Sequence, residues 1–148
     1  MSNSVSVSKT IKTTPDKIFD LLCDPRRHSE IDGSGQIKGF VDAPDRLSLG
    51  AKFSMDIKLG ARYKTTNTVI SFKENKEISW KHIGRHVWKY ELKENGDGTT
   101  TVTETWDWST CPLPERIGLE LAGFPKKNTK NIELTLERLA SILENDHS

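Results

Sequence analysis

Residues 36–110 are dominated by short runs in which apolar and polar side chains alternate. In the clearest run, Phe53, Met55, Ile57 and Leu59 alternate with a serine, an aspartate and a lysine. Strict alternation is typical of a strand with one buried face and one solvated face. The pattern predicts six strands in this region, and the alternating residues 5–11 add a seventh before them. Such a sheet needs a second apolar surface to cover its buried face.

The C-terminal part of the chain supplies that surface. Apolar residues at positions 132, 136, 139 and 143 form the stripe of an amphipathic helix, which we place at about residues 126–144. A similar stripe comes earlier and consists of Leu113, Ile117, Leu121 and Phe124. Because Pro125 follows it, the helix that carries this stripe should break or kink near Phe124. Two short helices are expected after the first strand, at residues 15–22 and 25–31. Thr14 and Pro15 give the first of them a helix-start signal.

This order of elements is typical of an α+β fold. We predict a single domain, residues 1–148, in which a curved, seven-stranded antiparallel sheet wraps around the long C-terminal helix. A twisted sheet cannot contact a straight helix along its whole length, so a cavity can open between the two. A chain of this length can bury a sizeable core without disulfides.

The composition excludes several classes of protein. The 22 basic and 21 acidic residues give a net charge of +1, which provides no electrostatic basis for nucleic-acid binding. No signal peptide is recognisable, and no apolar run approaches the roughly 20 residues that span a bilayer, so we expect a cytoplasmic protein without membrane insertion. The two cysteines and four histidines show no metal-ligand spacing, and no phosphate-binding motif is present. We therefore expect no metal and no cofactor.

Several segments resemble the START/Bet v 1-like superfamily, also called SRPBCC, and within it the bacterial polyketide cyclase/dehydrase-like proteins. The matching segments are VSVSKTI at 5–11, TPDKIFDLL at 14–22, the pair Asp24-Pro25, GTTTVTETW at 98–106 and LERLASIL at 136–143. The resemblance implies the helix-grip fold, with the C-terminal helix held by the sheet. It does not imply one function, because the superfamily includes lipid carriers, hormone receptors, cyclases and ring-hydroxylase subunits.

Strand parity places all four tryptophans on the inward face of the sheet, together with several polar side chains. Aromatic walls with a few polar groups are typical of a ligand cavity, although a packed aromatic core has the same composition. The residues that we predict to line a cavity are Phe53, Met55, Trp80, His82, Trp88, Tyr90, Glu104, Trp106, Trp108, Ile117, Leu121 and Phe124.

Three functions are compatible with these patterns. We favour binding or carriage of a small hydrophobic ligand, such as a lipid, an isoprenoid or a polyketide-like molecule, by a monomer or weak homodimer. A polyketide cyclase/dehydrase-like enzyme is the alternative, since Glu104 facing His82 or His86 would provide acid-base chemistry. A regulatory interaction protein of the toxin-antitoxin type is a third possibility. The sequence does not decide whether any reaction is catalysed.

Overall fold

The computed structural model describes residues 3–33, 37–59, 61–82 and 86–145. Within these residues the chain forms seven strands and four α-helices, with a short 3₁₀ helix between the first two helices. In chain order the elements are β1 (Ser4–Ile11), α1 (Pro15–Leu22), the 3₁₀ helix (Pro25–Arg27), α2 (His28–Ile31), β2 (Ile37–Asp42), β3 (Lys52–Leu59), β4 (Ala61–Lys73), β5 (Glu77–His82), β6 (Val87–Glu94), β7 (Thr100–Asp107), α3 (Leu113–Leu121) and α4 (Phe124–Asn145). The predicted α+β order is confirmed.

The strands form one antiparallel sheet in the order β1-β7-β6-β5-β4-β3-β2. Strands β2 to β7 therefore follow one another as a meander. The one long connection runs from β1 to β2 and carries α1 and α2 from one edge of the sheet to the other.

A β-bulge in β4 aligns its inward side chains. The register with β5 shifts between Val69 and Ser71, which leaves the side chain of Ile70 46% exposed. In a regular strand, residues three positions apart lie on opposite faces. Because the bulge adds one residue, Val69 and Phe72 both face the interior. The change of apolar parity at Val69 and Ile70 predicts this bulge, and the structure confirms it.

Helix α4 packs against β1 and β7 and also contacts α1 and α2. The predicted stripe is its buried face: Ile132, Leu136, Leu139 and Leu143 are all at most 5% exposed. Burying a side chain of this size stabilises the fold by about 1.5–3 kcal/mol. Gly33, just after α2, lies so close to α4 that a Cβ atom there would meet the Asn131 carbonyl oxygen at 2.3 Å.

The break between α3 and α4 occurs where the sequence predicts it. Gly123, with a φ of 78°, separates the two helices, and Pro125 occupies the first turn of α4. A positive φ is accessible to glycine at little cost, and a proline in a first helical turn loses no hydrogen bond. Helix α4 therefore starts at Phe124, two residues before the predicted position.

Candidate functional site

The inner face of the sheet carries a continuous array of tryptophans. Trp106 on β7 lies opposite Trp88 on β6, which in turn lies opposite Trp80 on β5. The ring centroids of Trp88 and Trp106 are 6.1 Å apart, and Trp108 stacks on Trp106 at 4.7 Å. All four tryptophans of the chain thus form one surface, as strand parity predicts. Trp88 is half-buried, and the other three are at most 9% exposed.

A second group of rings surrounds Trp80. Phe53 and Tyr90 lie with their centroids 5.4 and 5.7 Å from that of Trp80. His28 stacks on the same ring at 5.2 Å, with an angle of 21° between the planes. Met55, also predicted to line the interior, is buried at 2% exposure. Together with the tryptophans these residues make the interior predominantly aromatic.

His28 was missed as an interior residue by sequence reasoning. It belongs to a helix of four residues, which is too short to show an apolar period, and it follows two arginines. In the structure it is 4% exposed, and its Nε2 forms a 2.8 Å hydrogen bond with the Leu22 carbonyl. Burial lowers the pKa of His28 more than the bond to Leu22 raises it, so His28 is neutral at pH 7.

Glu104 lies in the middle of this aromatic face and is 3% exposed. It is opposite Tyr90 in the register of β6 and β7, and the Tyr90 hydroxyl forms a hydrogen bond with its carboxyl group. Burial raises the pKa of Glu104 to about 8; the bond to Tyr90 lowers it, and the charge of Asp32 raises it. Burial also raises the pKa of Tyr90 well above its ordinary value, with Glu104 adding to the effect. Glu104 is therefore largely protonated at neutral pH.

Two buried polar atoms on β7 have no hydrogen-bond partner within the described part of the chain: Oε1 of Glu104 and Nε1 of Trp106. The two residues are separated by one position, so their side chains project from the same face of the strand. An unsatisfied buried polar group costs about 1–3 kcal/mol. Neither atom has appreciable solvent-accessible surface, so a molecule that reaches them must displace neighbouring side chains.

Helix α3 lies at the end of the sheet where β7 finishes, and the Trp108 Nε1 donates a 3.3 Å hydrogen bond to Oε1 of Glu120 on that helix. None of its residues is buried. Ile117 and Leu121 are 47% and 83% exposed, so the expectation that they line the interior is wrong for this conformation. The stripe makes α3 amphipathic, but the helix presents that stripe to solvent.

The remaining predicted residues occupy different positions. Phe124 is half-buried, with the Lys127 Nζ 5.2 Å from its ring centroid. The ring of His86 is half-buried and lies 5.5 Å from that of Trp106. The backbone of His82 ends β5, and its side chain lies outside the described part of the chain.

The described residues contain no group of three or more histidine, cysteine, aspartate or glutamate side chains placed to hold a metal ion. Across the same residues, no helix is both long and apolar enough to cross a membrane.

Solved structures with the same arrangement of sheet and C-terminal helix define the fold. A protein of Mycobacterium smegmatis superimposes with a TM-score of 0.72 at 14% identity, over 99% of this chain and 94% of the other. A Polyketide_cyc-like protein of Corynebacterium glutamicum gives a TM-score of 0.62 at 21% identity, over 99% and 94% of the two chains. The chain therefore shares the fold of these proteins, as the resemblance to polyketide cyclase/dehydrase-like proteins implies.

A di-domain ARO/CYC protein of the steffimycin biosynthetic pathway has a similar fold. It gives a TM-score of 0.67 at 13% identity, over 97% of this chain and 51% of its own. Among curated sequences, an uncharacterized protein of Mycobacterium tuberculosis is 37% identical over 140 residues. This match covers 92% of the chain but only 62% of the mycobacterial protein. No family model matches the sequence.

Proposed function

We propose that the protein binds a small, largely apolar molecule on the inner face of its sheet, between the tryptophan array and the helices. The observation that carries the proposal is the position of Glu104. A carboxyl group is expensive to bury, and here it stands inside an aromatic surface with one oxygen that has no hydrogen-bond partner among the described residues. Aromatic walls around a few polar groups are the usual composition of a small-molecule site.

The partly exposed rings indicate how a ligand would enter. Trp88 and His86 are half-buried and lie beside Trp106, whereas Trp80 and Trp106 are enclosed. Helix α3 follows β7, is joined to this end of the sheet by the hydrogen bond from Trp108 to Glu120, and buries none of its own residues. Displacing α3 therefore exposes little new apolar surface of the helix itself, so opening at this end costs less than separating α4 from the sheet.

Nuclear magnetic resonance of protein labelled with ¹⁵N at the tryptophan indoles tests the proposal directly. Titration with 1-methylnaphthalene, a neutral and flat probe, should shift the indole signals of Trp88 and Trp106 in a saturable way. Trp88→Leu should weaken binding about two- to tenfold, the range expected for the loss of one aromatic contact. Ile70→Ala, at the exposed bulge position, serves as the control and should leave the affinity unchanged. Absence of any saturable shift would contradict the proposal.

A second candidate function is that of a cyclase/dehydrase-like enzyme, and the pKa of Glu104 is the observation that favours it. A carboxylic acid with a pKa of about 8 can donate a proton near neutral pH. In such an enzyme Glu104 would donate its proton to a hydroxyl group that leaves a folded polyketide chain as water, and the resulting carboxylate would accept the proton lost from the adjacent carbon as the C=C bond forms. The test is to generate a poly-β-keto chain with and without the protein and with Glu104→Gln. Identical products in all three reactions would exclude this function.

A further inference from the structure

The two unpaired atoms on β7 define the chemistry of the polar group that a ligand would bring to the interior. We infer that the bound molecule carries a neutral hydroxyl group, an alcohol or a phenol, which hydrogen-bonds with both Trp106 and Glu104. The inference rests on the proposed function and adds the chemical class of the ligand. The apolar part of the ligand would then lie against Trp88 and Trp108, which flank the Trp106 ring.

The hydrogen-bonding capacities of the two groups select a hydroxyl. The indole Nε1 of Trp106 can only donate, so the ligand atom that reaches it must accept. Oε1 of Glu104 belongs to a protonated carboxyl group and either donates or accepts, depending on where the proton resides. A hydroxyl has one donor hydrogen and two lone pairs, and can therefore satisfy both groups in either state.

Other polar groups fit less well. A ketone or an ether accepts from Trp106, but it has no hydrogen to offer when Glu104 Oε1 is the carbonyl oxygen. An ammonium group leaves the indole N–H unpaired because it cannot accept. A carboxylate would place a second acid beside Glu104, in an interior where the charge of Asp32 already disfavours ionisation. The interior therefore discriminates against anionic ligands.

The backbone holds the two groups at a suitable separation. Residues two positions apart on a strand, such as Glu104 and Trp106, have Cα atoms roughly 7 Å apart, and their side chains project in parallel. A hydroxyl oxygen between the two side chains can be within reach of both. Tyr90 holds the carboxyl group of Glu104 from the neighbouring strand, and stacking on Trp108 orients the indole of Trp106. Both groups are thus positioned before the ligand arrives.

A matched pair of probes measures how much the hydroxyl group contributes to affinity. 1-Naphthol and 1-methylnaphthalene have nearly the same shape, and the methyl compound is the more hydrophobic of the two. Two new hydrogen bonds should nevertheless make 1-naphthol bind about tenfold more tightly. 1-Naphthoate should bind more weakly than either at pH 7. The indole N–H signal of Trp106 should move downfield with 1-naphthol and much less with the methyl compound.

Two variants test whether the preference for 1-naphthol depends on the N–H group of Trp106. Trp106→Phe removes the N–H group but keeps an aromatic ring, and should reduce the preference for 1-naphthol to about twofold or less. Trp80→Phe makes the same chemical change elsewhere in the array, at a ring whose N–H is not among the unpaired groups, and should leave the preference intact. Circular dichroism and thermal melting verify that both variants fold.

The outcomes separate this inference from the proposed function. If 1-methylnaphthalene binds as tightly as 1-naphthol in the unaltered protein, the hydroxyl inference is wrong while the binding function stands. The same conclusion follows if Trp80→Phe and Trp106→Phe reduce the preference equally. If neither probe binds, the proposed function fails and the inference fails with it.

Discussion

Replacing Glu104 by glutamine should change how the stability of the protein depends on pH. In the folded chain burial raises the pKa of this carboxyl group from 4.5 to about 8. Each pKa unit corresponds to about 1.4 kcal/mol, so ionising Glu104 destabilises the folded state by up to about 5 kcal/mol. Relaxation of the interior around the charge will make the measured value smaller. Glutamine has nearly the same shape and does not ionise, so it avoids this penalty.

The direction of the effect follows from proton binding. Below pH 4.5 both the folded and the unfolded chain hold the proton, and the group adds no pH dependence. Between pH 4.5 and about 8 the unfolded chain loses the proton while the folded chain retains it. The free energy of unfolding therefore falls as pH rises, by up to about 1.4 kcal/mol per pH unit, and the fall ends above the folded pKa.

Urea unfolding from pH 4.5 to 9.5 measures this dependence. The stability of the unaltered protein, minus that of Glu104→Gln, should fall by several kcal/mol over this range. Taking the difference cancels the contribution of His28, whose lowered pKa acts in the opposite direction below pH 6.5. Glu94→Gln makes the same change at an exposed position of β6 and should follow the unaltered protein. Parallel curves for the unaltered protein and Glu104→Gln would refute the reasoning.

Four further results are expected. Leu139→Ala should cost about 2–5 kcal/mol in urea unfolding because the side chain is fully buried, whereas Glu137→Ala on the exposed face of α4 should cost little. Gly33→Ala should lower the melting temperature by several degrees, since its Cβ would meet backbone atoms of α4 that cannot move aside. The midpoint of the titration of the His28 ring proton signals should lie below pH 6.5, because burial lowers its pKa. Cys23 should resist thiol reagents at pH 8 until the protein is unfolded, because burial raises its pKa to about 12.

The sheet could be predicted from the sequence because its signal is local. Side chains alternate between the two faces along each strand, so the inward positions of Tyr90, Glu104 and Trp106 follow from their odd or even place in the strand. A local pattern was not sufficient for α3. The stripe that includes Ile117 and Leu121 indicates an amphipathic helix, but it does not indicate whether any surface covers that helix.

The parts of the site that could not be predicted depend on contacts between distant segments. His28 becomes an interior residue only because the connection from β1 to β2 brings α2 against Trp80. Whether a buried polar atom finds a partner is likewise a property of the assembled interior. The sequence identifies Glu104 and Trp106 as inward residues, but only the three-dimensional arrangement shows that Oε1 and Nε1 find no partner in the part of the chain that the structure describes.

The pairing of β1 with β7 has a consequence for how the protein folds during synthesis. Ser4 pairs with Asp107 and Ile11 with Thr100, so the first strand of this sheet pairs with its last strand along the chain. At a translation rate of roughly 5–20 residues per second, β1 waits on the order of 5–20 s before its partner is synthesised. Pairings between such distant segments also form slowly. Until β7 has been synthesised, the edge of β1 that pairs with it therefore stays open to contacts with chaperones or other nascent chains.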